Sequence, residues 1–252
     1  MPAIATATAL EVNNVRKQFG ALAAIGGVTL TVGQGERRAV IGPNGAGKTT
    51  FFNLISGALP LTSGSIVLNG ANVTTVPAWK RVRMGLSRTF QRNNLFLSLP
   101  VYDNVQLAVQ REKGTSYNLF RPASGFPEVR AKVLEILDKV GLSHRAEVEV
   151  ANLSYGEQRQ VEVALALASD PKILLLDEPT AGMSITETRR MIDLIKGLPR
   201  DLTLMIVEHD MEVVFAISDY ITVLHLGQVL TGGTPAEVEA DPRVREVYLG
   251  EE

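Results

Sequence analysis

Apolar positions take different periods in different parts of the chain, and each period predicts a different element. Near the N-terminus Leu10 and Val12, then Val28, Leu30 and Val32, alternate with polar neighbours, the period of strands with one face buried. Ile66 to Leu68, closed by Asn69-Gly70, predicts a further short strand ending in a turn. Other runs do not alternate: Ala39-Val40-Ile41 leads straight into glycines, Ile173 to Leu176 is apolar up to Asp177, and Leu204 to Val207 ends at Glu208-His209. Unbroken apolar runs of this kind predict strands covered on both faces, as in a parallel sheet between helices. Each delivers polar residues to its carboxyl end, the edge where open α/β sheets bind ligands.

A helical period follows. Val129, Val133, Leu134, Ile136, Leu137 and Val140 share one face, with Gly141 placed to end the helix. Residues 111–127, REKGTSYNLFRPASGFP, have no period and carry Gly, Pro and Ser, which predicts a loop. Thr234 and Glu237 match a capping box with Pro235 at the first helical position, so a C-terminal helix starts there. No internal repeat or low-complexity tract interrupts the pattern, which predicts an α/β core with a helical insertion.

Composition narrows the classes. Lys and Arg number 25 against 27 Asp and Glu, a net charge of −2, and gripping a nucleic acid backbone calls for clustered excess cations. At 27.3 kDa the chain is expected to bury about 70% of its unfolded surface, enough for a core without staples. The absence of Cys excludes disulfides, thiolate metal sites and Cys nucleophiles, and fits a reducing compartment. No apolar run approaches the ~20 residues needed to span a bilayer, and MPAIATATALEV lacks the basic and apolar regions of a secretory signal. The expectation is a cytoplasmic protein.

Candidate chemistry begins at Gly42-Pro-Asn-Gly-Ala-Gly47-Lys48-Thr49, which matches G-x-x-x-x-G-K-[ST] between an apolar strand and a candidate helix, Lys48 to Ser56. Glycines let backbone N–H groups close around phosphate oxygens, Lys48 meets the β and γ charges, and the Thr49 hydroxyl is a Mg²⁺ ligand. The helix N-terminus adds its own attraction for anions. Ile173 to Asp177-Glu178 then delivers two carboxylates to one strand end, a crowding expected only where a cation or a proton task requires it. Asp177 would join the Mg²⁺ shell and Glu178 would polarise an attacking water. The P-loop alone leaves several classes open, including GTPases, nucleotide kinases, helicases and ABC ATPases.

Leu153-Ser154-Tyr155-Gly156-Glu157-Gln158 decides among them. Ser154 and Glu157 form a capping box opening a helix with Val161, Ala164, Leu165 and Ala168 on its apolar face. Gly156 is expected to leave backbone exposed beside that N-terminus, a second anion site. The string resembles the signature motif of ABC transporter ATPases, and the resemblance covers nearly the whole chain. It implies a P-loop NTPase (RecA-like) α/β core with an N-terminal antiparallel β subdomain and an inserted α-helical subdomain. The expected organisation is a single ABC ATPase domain over residues 8–252, with the helical subdomain at approximately 92–160.

The same resemblance implies roles. ATP contacts fall on Phe19 and on Asn44, Gly45, Ala46, Gly47, Lys48, Thr49 and Thr50; a buried core Phe is the alternative at 19. Ser154, Tyr155, Gly156 and Glu157 would cover the γ-phosphate held by a second subunit. Gln91, in Thr89-Phe-Gln91, would touch Mg²⁺ or water and sense a membrane partner, and His209, in Ile206-Val-Glu-His209-Asp210, would contact the γ-phosphate. Leu95, Phe96 and Leu97 are read as part of a docking surface or as core. One departure stands out: Ser184 occupies the place of a common Asp in Ala181-Gly-Met-Ser184.

Within the family the chain is most similar to ATP-binding subunits of branched-chain amino-acid importers, through FFNLISG, SRTFQRNNLF, DEPTAGMS, VEHDMEVV and GTPAEVEADPRVREVYLG. These strings are shared with importers of urea and other amides, and partly with the lipopolysaccharide-export ATPase. The implied partners are a second ABC ATPase subunit, with a heterodimer favoured over a homodimer, two membrane permease subunits and, indirectly, a solute-binding protein, but no nucleic acid. The implied location is the cytoplasmic face of the membrane. A soluble ABC ATPase of repair or translation is the rival, and the single domain without sustained heptads counts against it.

Overall fold

The structure, a computed structural model, describes residues 7–89, 95–112 and 127–249. Two sheets form. The first has the order β2-β1-β4-β5, built from β1 (Thr8–Phe19), β2 (Leu22–Gly33), β4 (Ser63–Leu68) and β5 (Ala71–Asn72). Its pairings are all antiparallel. The alternation at Leu10, Val12, Val28, Leu30 and Val32 puts these residues on the buried face, and Asn69-Gly70 makes the turn into β5.

The second sheet has the order β10-β9-β3-β8-β7-β6, with β3 (Arg37–Ile41), β6 (Leu86–Arg88), β7 (Ile173–Asp177), β8 (Thr203–Val207), β9 (Tyr220–His225) and β10 (Gln228–Gly233). All neighbours are parallel except β9 and β10. Strand β7 shows why its run is unbroken. Ile173 and Leu175 face a core shared with the antiparallel sheet and α1 (Lys48–Ser56), whereas Leu174 and Leu176 face a core shared with helices. With both faces covered, a polar residue at any of these positions would lose its water.

That helical side contains α3 (Val101–Glu112), α4 (Pro127–Lys139), α5 (Tyr155–Leu167) and α6 (Ile185–Gly197), and α3, α4 and α5 pack on one another. Val129, Val133, Ile136 and Leu137 of α4 are buried as the spacing predicts, and so is Val140 just beyond it. Leu134, expected on the same face, is 44% exposed because it lies about 100° round the helix from Val133 and turns out of the stripe. Gly141 follows at φ +73°. The loop expected over 111–127 does not hold at its two ends, since Arg111 and Glu112 finish α3 and Pro127 opens α4; 113–126 lie outside the described residues. Pro at a first helical position needs no amide partner, so it can start the helix it was expected to precede. The remaining helices are α2 (Ala78–Arg83), α7 (Met211–Ile217), α8 (Pro235–Ala240) and α9 (Pro242–Leu249), with Thr234 making the expected capping box on α8.

Candidate nucleotide site

Strand β3 is buried throughout and ends at Ile41, so the loop that follows is held against its neighbours. Gly42 has φ +151°, and a Cβ there would meet the Leu224 carbonyl oxygen at 2.1 Å. Gly47 has φ +99°, and a Cβ would meet the Ala24 carbonyl oxygen and Ile25 Cδ1 at 2.8 Å each. Only glycine fits at either place. The turn between β9 and β10 ties in as well, the Gly227 amide donating to the Ala46 carbonyl at 3.1 Å. Lys48 Nζ donates to the Gly42 and Pro43 carbonyls at 2.6 and 3.0 Å.

Around that loop Asn44, Gly45 and Thr49 are exposed, Thr50 is half-buried and Ala46 is buried. Helix α1 starts at Gly47 with no side-chain cap and no acidic residue in its first turn. Phe19 is 47% exposed, so the core alternative at that position does not hold. Lys17 Nζ stands 5.0 Å from its ring centroid.

The neighbours of β3 bring the other groups to the same edge. Strand β7 ends at Asp177, 3% exposed, and β8 ends at Val207 before Glu208 and His209. Asp177 Oδ2 accepts from Arg88 Nη2 at 2.7 Å, while its buried Oδ1 has no hydrogen-bond partner. Arg88 also donates to Asn53 Oδ1 (2.6 Å) and Ser56 Oγ (3.2 Å) of α1. The crowding of Asp177 and Glu178 is thus partly relieved by the chain's own cation. Glu178 adopts φ +48°, costly for a residue with a Cβ, and its amide donates to the Val207 carbonyl at 2.9 Å. His209 is exposed, with Nδ1 3.9 Å from Glu208 Oε2. Glu208, fully buried, accepts from the Thr180 amide (2.9 Å) and hydroxyl (2.6 Å), pinning the segment after Glu178 to the one before His209. Gln91 lies outside the described residues.

The signature residues sit elsewhere. Ser154 caps α5 in a complete capping box with Glu157. Burial pushes the Glu157 carboxyl up, but the Ser154 amide and Arg145 outweigh it and hold it below its usual range. Tyr155 is exposed, with its ring beside Gly182. Gly156 departs from expectation: it is buried, and its amide is not open but donates to Glu187 Oε1 at 3.0 Å. The reason is the packing of α5 against α6, whose first turn carries Glu187.

The profile of the ABC transporter family matches residues 25–181. The chain belongs to the ABC transporter ATP-binding family. A second profile, that of branched-chain amino acid ATP-binding cassette transporters, matches residues 228–252 of the cassette. The cassette is 38% identical to the high-affinity branched-chain amino acid transport ATP-binding protein LivG of Escherichia coli (strain K12), over 96% of this chain and 98% of the relative. The same identity and coverage relate it to the corresponding protein BraF of Pseudomonas aeruginosa. Among solved structures, the ADP conformation of MJ1267, an ATP-binding cassette of an ABC transporter, superposes with a TM-score of 0.85 at 28% identity, covering 97% of this chain and all of the other (100%). The fold is therefore the P-loop cassette fold, and the protein is an ATPase subunit of a transporter.

Arg88, Glu208 and Glu187 escape a reading of the sequence because each acts on residues 28 to 89 positions away or on another helix. A groove of about 480 Å³ beside β6 is also invisible there, lined by Trp79, Leu86, Arg88, Leu95, Arg111 and Glu162. Leu95 is buried while Phe96 and Leu97 are exposed, so the apolar triplet divides between core and surface. Burial raises the Glu162 carboxyl despite its 2.8 Å pairing with Arg159.

Proposed function

We propose that the protein is the ATP-binding and hydrolysing subunit that energises an importer of branched-chain amino acids or a related amino-acid or amide solute. The observation that carries the ATPase part is the meeting of three distant segments at one sheet edge: the loop after β3, Asp177-Glu178 after β7 and His209 after β8. The solute class rests on the similarity to LivG and BraF and on the match over residues 228–252. Lipopolysaccharide export and soluble non-transport roles have no comparable support among these relatives.

In this reading the amides of Asn44 to Thr50, with Lys48, cradle the phosphates of ATP, and Phe19 stacks on the base. Glu178 orients and takes a proton from the attacking water, and His209 holds the γ-phosphate. The unpaired Asp177 Oδ1 is an anionic oxygen without a donor, which suits a hard dication. Among the described residues no cluster of three or more His, Cys, Asp or Glu stands ready for a metal, so Mg²⁺ would rest on Asp177, Thr49 and Gln91 together with nucleotide oxygens. When bound it neutralises charge on the transferred phosphate.

Ser154, Tyr155, Gly156 and Glu157 have described partners in Glu187, Gly182 and Arg145, none of them in the P-loop. That separation supports a second ABC ATPase subunit whose nucleotide this signature covers. A solved neighbour of this chain, MJ0796 bound to ADP and Pi, is described as dimeric, with a TM-score of 0.74. No helix among the described residues is long and apolar enough to cross a membrane. The solute path is accordingly assigned to two permease subunits, with the groove at β6 and the exposed Phe96 and Leu97 as their docking face. We place the domain at 8–252, the helical part at about 92–160, and the protein at the cytoplasmic face of the membrane.

The test is Glu178→Gln. ATP binding should persist while hydrolysis falls by roughly 10²–10⁴-fold, the range for removing a general base. Turnover at the parental rate would refute the assignment.

A further inference from the structure

The N-terminus of α5 already carries an anion, supplied by the same chain. Glu187 places Oε1 3.0 Å from the Gly156 amide nitrogen, while Oε2 accepts from the Ser184 amide at 3.1 Å and hydroxyl at 2.8 Å. The fit is close: a Cβ on Gly156 would meet Glu187 Cγ at 2.8 Å and Cβ at 2.9 Å. Glycine at 156 is thus required by the chain's own carboxylate, independently of any ligand. The Ser184 hydroxyl foremost, then the Ser184 and Gly156 amides and the Ser154 hydroxyl, hold this carboxyl at about 2, so it is ionised at any working pH. Ser184 now has a reason to stand where family members commonly carry Asp. An Asp there would set a second carboxylate against Glu187, whereas serine donates to it.

We propose that Glu187 is an affinity-setting residue of the ATPase reaction: its carboxylate is the resident anion of the signature, and the γ-phosphate carried by the second subunit displaces it. The proposal rests on reading Ser154 and Gly156 as contacts to the partner's nucleotide. The same amide and hydroxyl cannot serve two anions, and two like charges about 3 Å apart repel. Closure of the two subunits therefore gives up the Glu187 contacts before it gains those to phosphate. Until then the carboxylate satisfies an amide that would otherwise be orphaned at the helix end. It also ties α5 to the first turn of α6, the helix that follows Glu178 in the chain.

The assembled transporter carrying this chain tests the idea, with ATP hydrolysis followed for Glu187→Ala and Glu187→Gln. Glutamine serves the capping box at this position as well as glutamate does, so that variant keeps the helix start if alanine fails to fold. KM for ATP should fall by roughly tenfold in Glu187→Ala, the scale of one charge-assisted hydrogen bond no longer broken on closure, and by less in Glu187→Gln. A merely structural role would lower kcat and thermal stability without lowering KM. An unchanged or raised KM in both folded variants overturns the proposal. Ser154→Arg separates the two readings. If it abolishes hydrolysis while KM in the Glu187 variants stays put, only the role of Glu187 fails; if it leaves hydrolysis intact, the signature reading fails and the proposal with it.

Discussion

Two helix N-termini in this molecule are built to attract anions, and they differ in what sits on them. Helix α1 begins at Gly47 with no side-chain cap and no acid in its first turn, leaving its amides to whatever the loop encloses. Helix α5 begins with a Ser154 cap, Glu157 in its first turn and Glu187 reaching in from α6. The general preference for carboxylates at helix starts is worth up to about 1 kcal/mol each at exposed positions, so the bare end of α1 forgoes stability that α5 collects. An open end can receive a triphosphate without competition. A filled end has to be vacated first.

The scaffold of the open end should break most easily. Arg88, its side chain 11% exposed, joins the fully buried Asp177 side chain to Asn53 and Ser56 of α1. Arg88→Met should cost roughly 3–5 kcal/mol, because Asp177 becomes an uncompensated buried charge; chemical denaturation measures it, and a loss below about 1 kcal/mol would show that the pair is not structural. Next in size is an attempt to erase the contrast. Thr50 stands at the third position of α1, the counterpart of Glu157 in α5. Thr50→Glu should weaken ATP binding by at least about tenfold while leaving the fold intact, through like-charge repulsion at the proposed phosphate site. Isothermal titration with ATP reads the difference.

The smallest effect concerns pH. Glu187 is lowered from 4.5 to about 2, so its contacts are fully present above the unfolded value and are lost as pH falls from there towards 2. Between about pH 5 and 8 the Gly156 amide proton shift should stay flat, then move on further acidification. A midpoint near 6 would mean that the carboxylate does not hold that amide.

Much of this was legible in the chain itself, for a physical reason specific to each element. The runs at Ala39–Ile41, Ile173–Leu176 and Leu204–Val207 announce strands covered on both faces because burial excludes polar residues from every position. The capping boxes at Ser154 and Thr234 and the glycine loop before Lys48 are local signals, and all three helices start as expected. Strand β6 was harder: Leu-Ser-Arg is too short for a period, and only its pairing with β7 makes it a strand. The exposed amide expected at Gly156 failed for a related reason, since the group that covers it is 31 residues away.

By itself, then, the sequence determined the glycine loop between β3 and α1, the carboxylates Asp177 and Glu178 at the end of a buried strand, and membership of the cassette family. All of these are written in contiguous residues whose spacing carries the physics. Which anion rests on the signature helix, which cation balances Asp177 and which carboxylate locks Thr180 to the His209 segment were decided only when α5 packed on α6, β6 paired with β7 and β7 paired with β8. Charge partners of this kind act through distances of about 3 Å, and nothing in a linear chain marks which residues folding will bring that close.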